Sequence, residues 1–222
     1  MILLRGLRPR SLVSSFGFLL KGSPDGVPIP PFWLRAQVAG TIDANDFYQR
    51  GAVDARSISE ILQRRQIPFP DLRAVLDFSC GSGRVIRHLR GMTQAQLFGS
   101  DQSAKLVDWC ESNLPFATFT INRLEPPLDF PDDKFDFVYA LSVFTHLPAA
   151  LQDAWMAELH RVLIPGGHLL LSTHGRYQLS ALSEEEKKIF DAGQVIVKRP
   201  GSAGSNFCSY LPSRIVRAGS FG

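Results

Sequence analysis

Cysteine is scarce: Cys80, Cys110 and Cys208 are the only three in 222 residues, widely spaced and without a C-x-x-C pair. Neither a disulfide framework nor a zinc site is indicated, and a reducing cytoplasm fits best. Long apolar runs are lacking as well. The stretch Ser11 to Leu20 follows Arg5, Arg8 and Arg10 in the manner of a signal peptide, but it holds Gly17 and stops at Lys21. It leads into no small-x-small cleavage pattern and falls far short of the ~20 apolar residues of a membrane span. Excess charge of one sign is missing too: 24 Lys plus Arg stand against 21 Asp plus Glu, a net +3 that announces no nucleic-acid surface. No internal repeat, low-complexity tract or cluster of metal-ligating residues is visible. What remains is ordinary globular composition, 45% apolar and 20% charged, in a length that allows one domain with an extension.

Residues 22–31, with four prolines and two glycines, read as an extended linker closing an N-terminal segment 1–31. A helical region 32–70 follows, in which Phe47, Val53, Ile58, Ile61 and Leu62 give a mainly helical spacing from Ala44 to Arg65 until Pro68 and Pro70 forbid continuation. The core is residues 71–222. Arg73 to Phe78 reads as a strand, Gly81 and Gly83 as a turn, and Val85, Ile86 and Leu89 as the start of a helix. The alternation repeats with strands at Gln96 to Ser100, Ala117 to Ile121, Phe135 to Ala140 and His168 to Thr173. Helices are expected at Ser103 to Asn113 and around Leu151, Trp155, Leu159 and Val162, the latter opened by Pro148 and closed by Pro165-Gly166-Gly167. Runs such as Phe137 to Ala140 lack polar alternation, as strands covered on both faces do. The expected fold is α/β, a doubly wound, mainly parallel Rossmann-like sheet.

In such sheets a ligand lies beyond the carboxyl ends of the strands, so the residues just after each strand carry the function. The first strand runs into Asp77-Phe78-Ser79-Cys80-Gly81-Ser82-Gly83-Arg84, where glycines permit close backbone approach. The second ends in Gly99-Ser100-Asp101, a carboxylate able to accept both hydroxyl hydrogens of a ribose. A nicotinamide-type turn would need G-x-G-x-x-G, and Ile86 occupies the third place.

These residues resemble the class I S-adenosylmethionine-dependent methyltransferases, the small-molecule methyltransferase domain family. The resemblance is carried by Val75 to Arg84, by Asp101, by Phe135 to Leu147 and by Glu158 to His168, four blocks in order over roughly residues 70–175. It implies S-adenosylmethionine as the cofactor. Asp77 and the backbone of Ser79, Cys80, Gly81 and Gly83 would hold its amino-acid end, with Arg84 available to its carboxylate. Asp101 and the neighbouring Gln102 would take the ribose side, Asn122 the adenine, and Ala140 and Leu141 would flank the donor methyl. Ser79 departs from the family's glycine there, so a positive φ at this position would cost about 1 kcal/mol. The segment through Phe47 and Tyr48 would form a lid that excludes water.

If the acceptor is a hydroxyl, the general base best placed is His146, after the fourth strand; a capping or pocket-lining role is the plain alternative. His174 and Tyr177 are secondary. Glu184 to Lys188 reads as a charged helix face, with Ser183 and Glu186 as a capping box. The resemblance also implies seven strands, of which five are accounted for: Val195 to Val197 is too short, and Tyr210 to Ala218 reads as a helix. We therefore expect the last two strands to be lacking and the flank of strand five at Leu169 to Leu171 to be exposed, unless the tail or a second copy covers it, which would make a homodimer. The expected activity is methyl transfer to a small molecule, a sugar or glycan intermediate being the acceptor that family analogy suggests. The alternative is a non-catalytic cofactor-binding or scaffolding protein.

Overall fold

A computed structural model describes residues 18, 22–174, 179–180, 182–194, 196–199 and 208–210. Two helices precede the sheet, α1 (Phe32–Ala39) and α2 (Ala44–Arg64), followed by a 3-10 turn at Phe69–Asp71. Then come β1 (Ala74–Phe78), a short α3 (Ile86–Leu89), β2 (Gln96–Asp101), α4 (Ala104–Asn113), β3 (Ala117–Ile121), β4 (Phe135–Ala140), a 3-10 turn at Phe144–His146, α5 (Ala149–Val162) and β5 (Leu163–Leu171). After these lie α6 (Glu184–Asp191), β6 (Ile196–Arg199) and β7 (Cys208–Tyr210).

The sheet is parallel, with strand order β3-β2-β1-β4-β5. Strand order therefore reverses between β1 and β4, and the C-terminal ends of these strands open the crevice in which a ligand can lie. Period-two alternation sends the side chains of β1 and β4 to two separate cores. Val75, Phe137 and Tyr139 join the core under α2, α3 and α4. Leu76, Phe78, Val138 and Ala140 join Trp155 and Leu159 of α5 on the other face. Burial on both faces is why these strands carry no polar alternation. At the opposite end of the sheet, Asp136 accepts the backbone N–H groups of Arg73 and Ala74 at 3.0 and 2.8 Å, tying β1 to β4.

Several expectations shift. Segment 22–31 does not separate the N-terminal piece from the core. Val27 is buried, and Asp25 forms an ion pair with Arg87 of α3 at 2.8 Å, so the prolines shape a strap laid on the sheet's helical face. Helix α5 stops at Val162, and Pro148 is its N-cap rather than its first residue. Pro165-Gly166-Gly167 lie inside β5, where the register with β4 slips between Phe135↔Leu163 and Phe137↔His168. The capping box of Ser183 and Glu186 is formed, with Glu186 N–H donating to the Ser183 hydroxyl at 3.2 Å.

Among the described residues the parallel sheet has five strands, and β6 and β7 form a separate antiparallel pair. Tyr210 thus ends a strand rather than opening a helix; residues 211–218 of that expected helix, and Tyr177, lie outside the described residues. On the edge strand Leu169, Leu170 and Leu171 are half-buried and His168 is exposed. Among the described residues no helix is long and apolar enough to cross a membrane, and no group of three or more His, Cys, Asp or Glu could hold a metal ion.

Candidate functional site

The site starts where β1 ends. Ser79, Gly81 and Gly83 have φ of 63°, 57° and 71°, so left-handed residues alternate with ordinary ones, an arrangement that gathers N–H groups toward one side. The turn is pinned to β2: Cys80 N–H donates to the Ser100 carbonyl and Gly81 N–H to the Asp101 carboxylate, each at 2.9 Å. Ser79 takes the left-handed conformation that its position demands and sets its hydroxyl 3.4 Å from the same Asp101 oxygen. Gly83 has no substitute, since a Cβ there would lie 2.2 Å from Leu114 Cδ1.

Above the turn opens a cleft of about 790 Å³, within the range of small-molecule sites. Its floor holds two carboxylates from adjacent strands, Asp77 and Asp101, both buried. Burial pushes the Asp77 carboxyl up to about 7. The Tyr139 hydroxyl, close by but outside ordinary hydrogen-bond geometry, and the Arg84 charge pull it down, while Asp101 pushes it up. Asp101 is also raised by burial, but less freely, because the N–H groups of Ser103 and Gly81 favour its ionised form. Asp101 Oδ1 accepts the Ser103 N–H, while Oδ2 accepts the Gly81 N–H and, more loosely at 3.4 Å, the Ser79 hydroxyl.

The far wall comes from the two N-terminal helices: Gln37 and Val38 of α1, and Gln49, Arg50, Val53 and Asp54 of α2. Helix α2 is seated firmly. Gly51 lets it approach the turn so closely that a Cβ would lie 2.0 Å from the Arg84 carbonyl oxygen, and Arg84 Nη1 donates to Asp54 at 2.6 Å across the cleft. The guanidinium expected to face a ligand carboxylate is thus already shared with the lid. Phe47 and Tyr48 do not close the reacting centre. Phe47 is wholly buried, and Tyr48 packs edge-on against the His88 ring at 4.6 Å.

A smaller cavity of about 80 Å³ adjoins the cleft and shares Ser79, Gln102, Ser142 and His146 with it. Asn122 lines it. Its Nδ2 donates to the Arg123 carbonyl at 2.7 Å, while its Oδ1 is buried without a hydrogen-bond partner. A buried acceptor left unmet is costly and is what a donor-bearing ligand would satisfy. His146 closes the 3-10 turn after β4, borders both cavities, and sets its ring edge-on to that of His174, with centroids 6.4 Å apart.

The structure therefore gathers Asp77, Ser79, Cys80, Gly81, Arg84, Asp101, Gln102, Leu141 and His146 around one cleft, with Asn122 in the annex. Two expected residues are not in either lining. Gly83 is turned into the core against Leu114, and Ala140 is fully buried among the side chains under α5. Sequence reading missed the polar lid wall, above all Asp54, and the strained Ser142, whose φ is 60°. A non-glycine residue held in that region next to a cleft is a hallmark of functional loops. No local pattern announces the pairing of Asp54 with Arg84, thirty positions apart.

Comparison with known proteins falls on the same stretch. Residues 76–171 match the family described as "Methyltransferase domain". The chain is 36% identical over 109 residues to an uncharacterized methyltransferase of Synechocystis sp., covering 46% of this chain and 50% of that protein. It is 32% identical over 108 residues to a sterol 24-C-methyltransferase of Gibberella zeae, covering 46% of this chain and 28% of that protein. With a trans-aconitate 2-methyltransferase of Rhodopseudomonas palustris it shares 35% identity over 108 residues, 47% of this chain and 40% of that protein. The chain spans half or less of the length of these curated relatives.

Proposed function

We propose that the protein transfers a methyl group from S-adenosylmethionine to a small-molecule acceptor, through a methyltransferase domain of the class I kind at residues 76–171, the stretch that matches the family described as "Methyltransferase domain". The observation that carries the reading is the pair of buried carboxylates, Asp77 and Asp101, on adjacent strands at the floor of a cleft of about 790 Å³.

The residues present fit the cofactor. Asp77 suits its ammonium group, and the glycine turn lets a ligand carboxylate approach the backbone closely, although Cys80, Gly81 and Gly83 spend their N–H groups within the fold. The Asp101 carboxylate suits ribose hydroxyls, the ligand displacing the loose Ser79 contact. The unmet Asn122 Oδ1 suits the exocyclic amine of adenine. The bound sulfonium would supply an activated methyl group for in-line displacement. The chain's own part is alignment and desolvation: the α1–α2 wall covers the cleft, and Leu141 and Ser142 border it where β4 ends. His146, between the two cavities, is the group that would accept a proton from a hydroxyl acceptor.

The relatives named for a sterol and for trans-aconitate, unlike acceptors, each match this chain over 108 residues, and we assign acceptor choice to segments outside the methyltransferase domain. Here the described part of those segments is the α1–α2 wall, whose Gln37, Gln49, Arg50 and Asp54 suit a small polar acceptor, a sugar-like one included, better than a sterol-sized apolar one. A second copy of the chain across the open β5 edge is part of the same proposal, and a single monomeric species in sedimentation velocity would retire it. The deciding experiment is calorimetry with S-adenosylmethionine and its demethylated product on wild type and Asp101→Ala. Binding by wild type and its loss in the variant are expected. Absence of heat with either ligand, in a protein shown to be folded, removes the assignment.

A further inference from the structure

Arg87 is not among the residues lining the cleft, yet it holds the cleft's wall. It lies on α3, directly after the glycine turn, with its side chain fully buried. A buried guanidinium needs acceptors for five N–H groups and does not shed its proton. The strap before α1 provides them. Nε and Nη2 donate to the two oxygens of Asp25 at 2.8 and 2.9 Å, Nη2 also donates to the Val27 carbonyl at 2.8 Å, and Nη1 donates to the Pro28 carbonyl at 3.1 Å. Burial raises the Asp25 carboxyl, but the hydrogen bonds from Arg87 and Ser23 outweigh it, and the pKa falls to about 2, so the pair stays ionised at any working pH. On its other side the guanidinium carbon lies 5.5 Å from the centroid of the Tyr48 ring of α2.

The strap leads straight into α1. Arg35 of α1 donates to the Pro30 carbonyl before the helix and to the Ile42 carbonyl after it, clamping both ends. From the last turn of α1, Val38 reaches the glycine turn, where a Cβ on Gly81 would lie 2.8 Å from Val38 Cγ1. Val38 thus lines the cleft and packs against the turn at its floor.

We propose that Arg87 is a positioning residue for the cofactor cleft: by seating the 22–31 strap and Tyr48, it fixes the α1–α2 wall and sets Val38 against Gly81. The proposal rests on the cofactor reading only for the ligand used to read it out. A net stabilising role is not what such a buried pair is best suited to, since the desolvation of its charges offsets much of their attraction, whereas a fork of fixed hydrogen bonds specifies one geometry.

The test measures S-adenosylmethionine affinity by calorimetry together with segment-resolved hydrogen exchange in full-length Arg87→Met, Arg87→Lys, Asp25→Asn and Val38→Ala. In Arg87→Met, affinity should fall by about tenfold or more, with exchange accelerated in 22–43 and unchanged in β1 and β4. Arg87→Lys, which keeps the charge without the fork, should recover part of that loss. Val38→Ala should weaken binding with the exchange of the strap unchanged, which isolates the Val38–Gly81 contact, and unchanged affinity would overturn the route through Val38. Wild-type affinity in an Arg87→Met protein whose strap exchanges fast overturns the proposal. If Arg87→Met does not fold, Asp25→Asn decides: weaker binding with a looser strap supports the proposal, and unchanged affinity overturns it. Failure of the wild type to bind would strike the cofactor reading, while accelerated exchange confined to 22–43 would still report the seating by Arg87.

Discussion

Asp77 is the residue at which ligand binding and stability should conflict most visibly. Its carboxyl is buried at the end of β1, and burial lifts its pKa from 3.8 to about 7 in the folded protein. The unfolded chain releases this proton near the ordinary value. Between the two values the folded state holds a proton that the unfolded state has lost, so stability falls as pH rises through this window and is level above it. The shift of about three units corresponds to a penalty of about 4 kcal/mol, absent below ~pH 4 and fully present above ~pH 7.

Asp77→Asn keeps the shape and removes the charge, so it should stabilise the unliganded protein, and by more at higher pH. Urea unfolding of wild type and variant should show a gap that widens by about 3 kcal/mol between ~pH 5 and ~pH 8. On the proposed function the same variant should lose cofactor affinity, because an amide cannot neutralise an ammonium group, so that stability is gained where binding is lost. Wild-type binding should also release protons near neutral pH, seen as a dependence of the calorimetric heat on buffer ionisation enthalpy. A stability gap that does not change with pH would mean that Asp77 is ionised in the folded protein and would refute the reasoning.

Three other substitutions test the packing that frames the cleft. Gly51→Ala places a methyl 2.0 Å from the Arg84 carbonyl oxygen; it should lift α2 off the turn and cost about 2 kcal/mol in chemical denaturation, with weaker cofactor binding. Gly83→Ala combines a φ of 71° with a 2.2 Å approach to Leu114, so a loss of about 3 kcal/mol is expected and a loss under about 1 kcal/mol would contradict the geometry. Lys134 sets its ammonium 4.1, 4.8 and 5.6 Å from the rings of Phe98, Phe130 and Phe135. Lys134→Met should lower stability by about 1 kcal/mol with cofactor affinity unchanged, since this box is at the other end of the sheet from the cleft.

How far this architecture can be read from residue order follows the range of the contacts that make each part. The start of α2 and both ends of strands β3 and β4 lie where their local patterns put them, and α2 ends one residue earlier than expected, because apolar runs and flanking prolines are signals within a few residues of the element they bound. The floor of the cleft is legible for the same reason: Asp77, the glycine turn and Asp101 sit at or just past the ends of strands that periodicity marks, and topology alone brings strand ends together. The lid wall is built otherwise. Asp54 meets Arg84 across thirty positions, Asp25 meets Arg87 across sixty-two, and Val38 reaches Gly81 across a comparable gap. None of these pairs leaves a periodic trace. A proline-rich stretch looks like a linker when its own residues are read and becomes a strap only because a buried arginine elsewhere needs its carbonyls. The same logic separates Phe47 and Tyr48 from the reacting centre. Their helix does wall the cleft, but a helix has two faces, and these aromatics are on the one that the core claims, leaving the polar Gln49, Arg50 and Asp54 to face whatever binds.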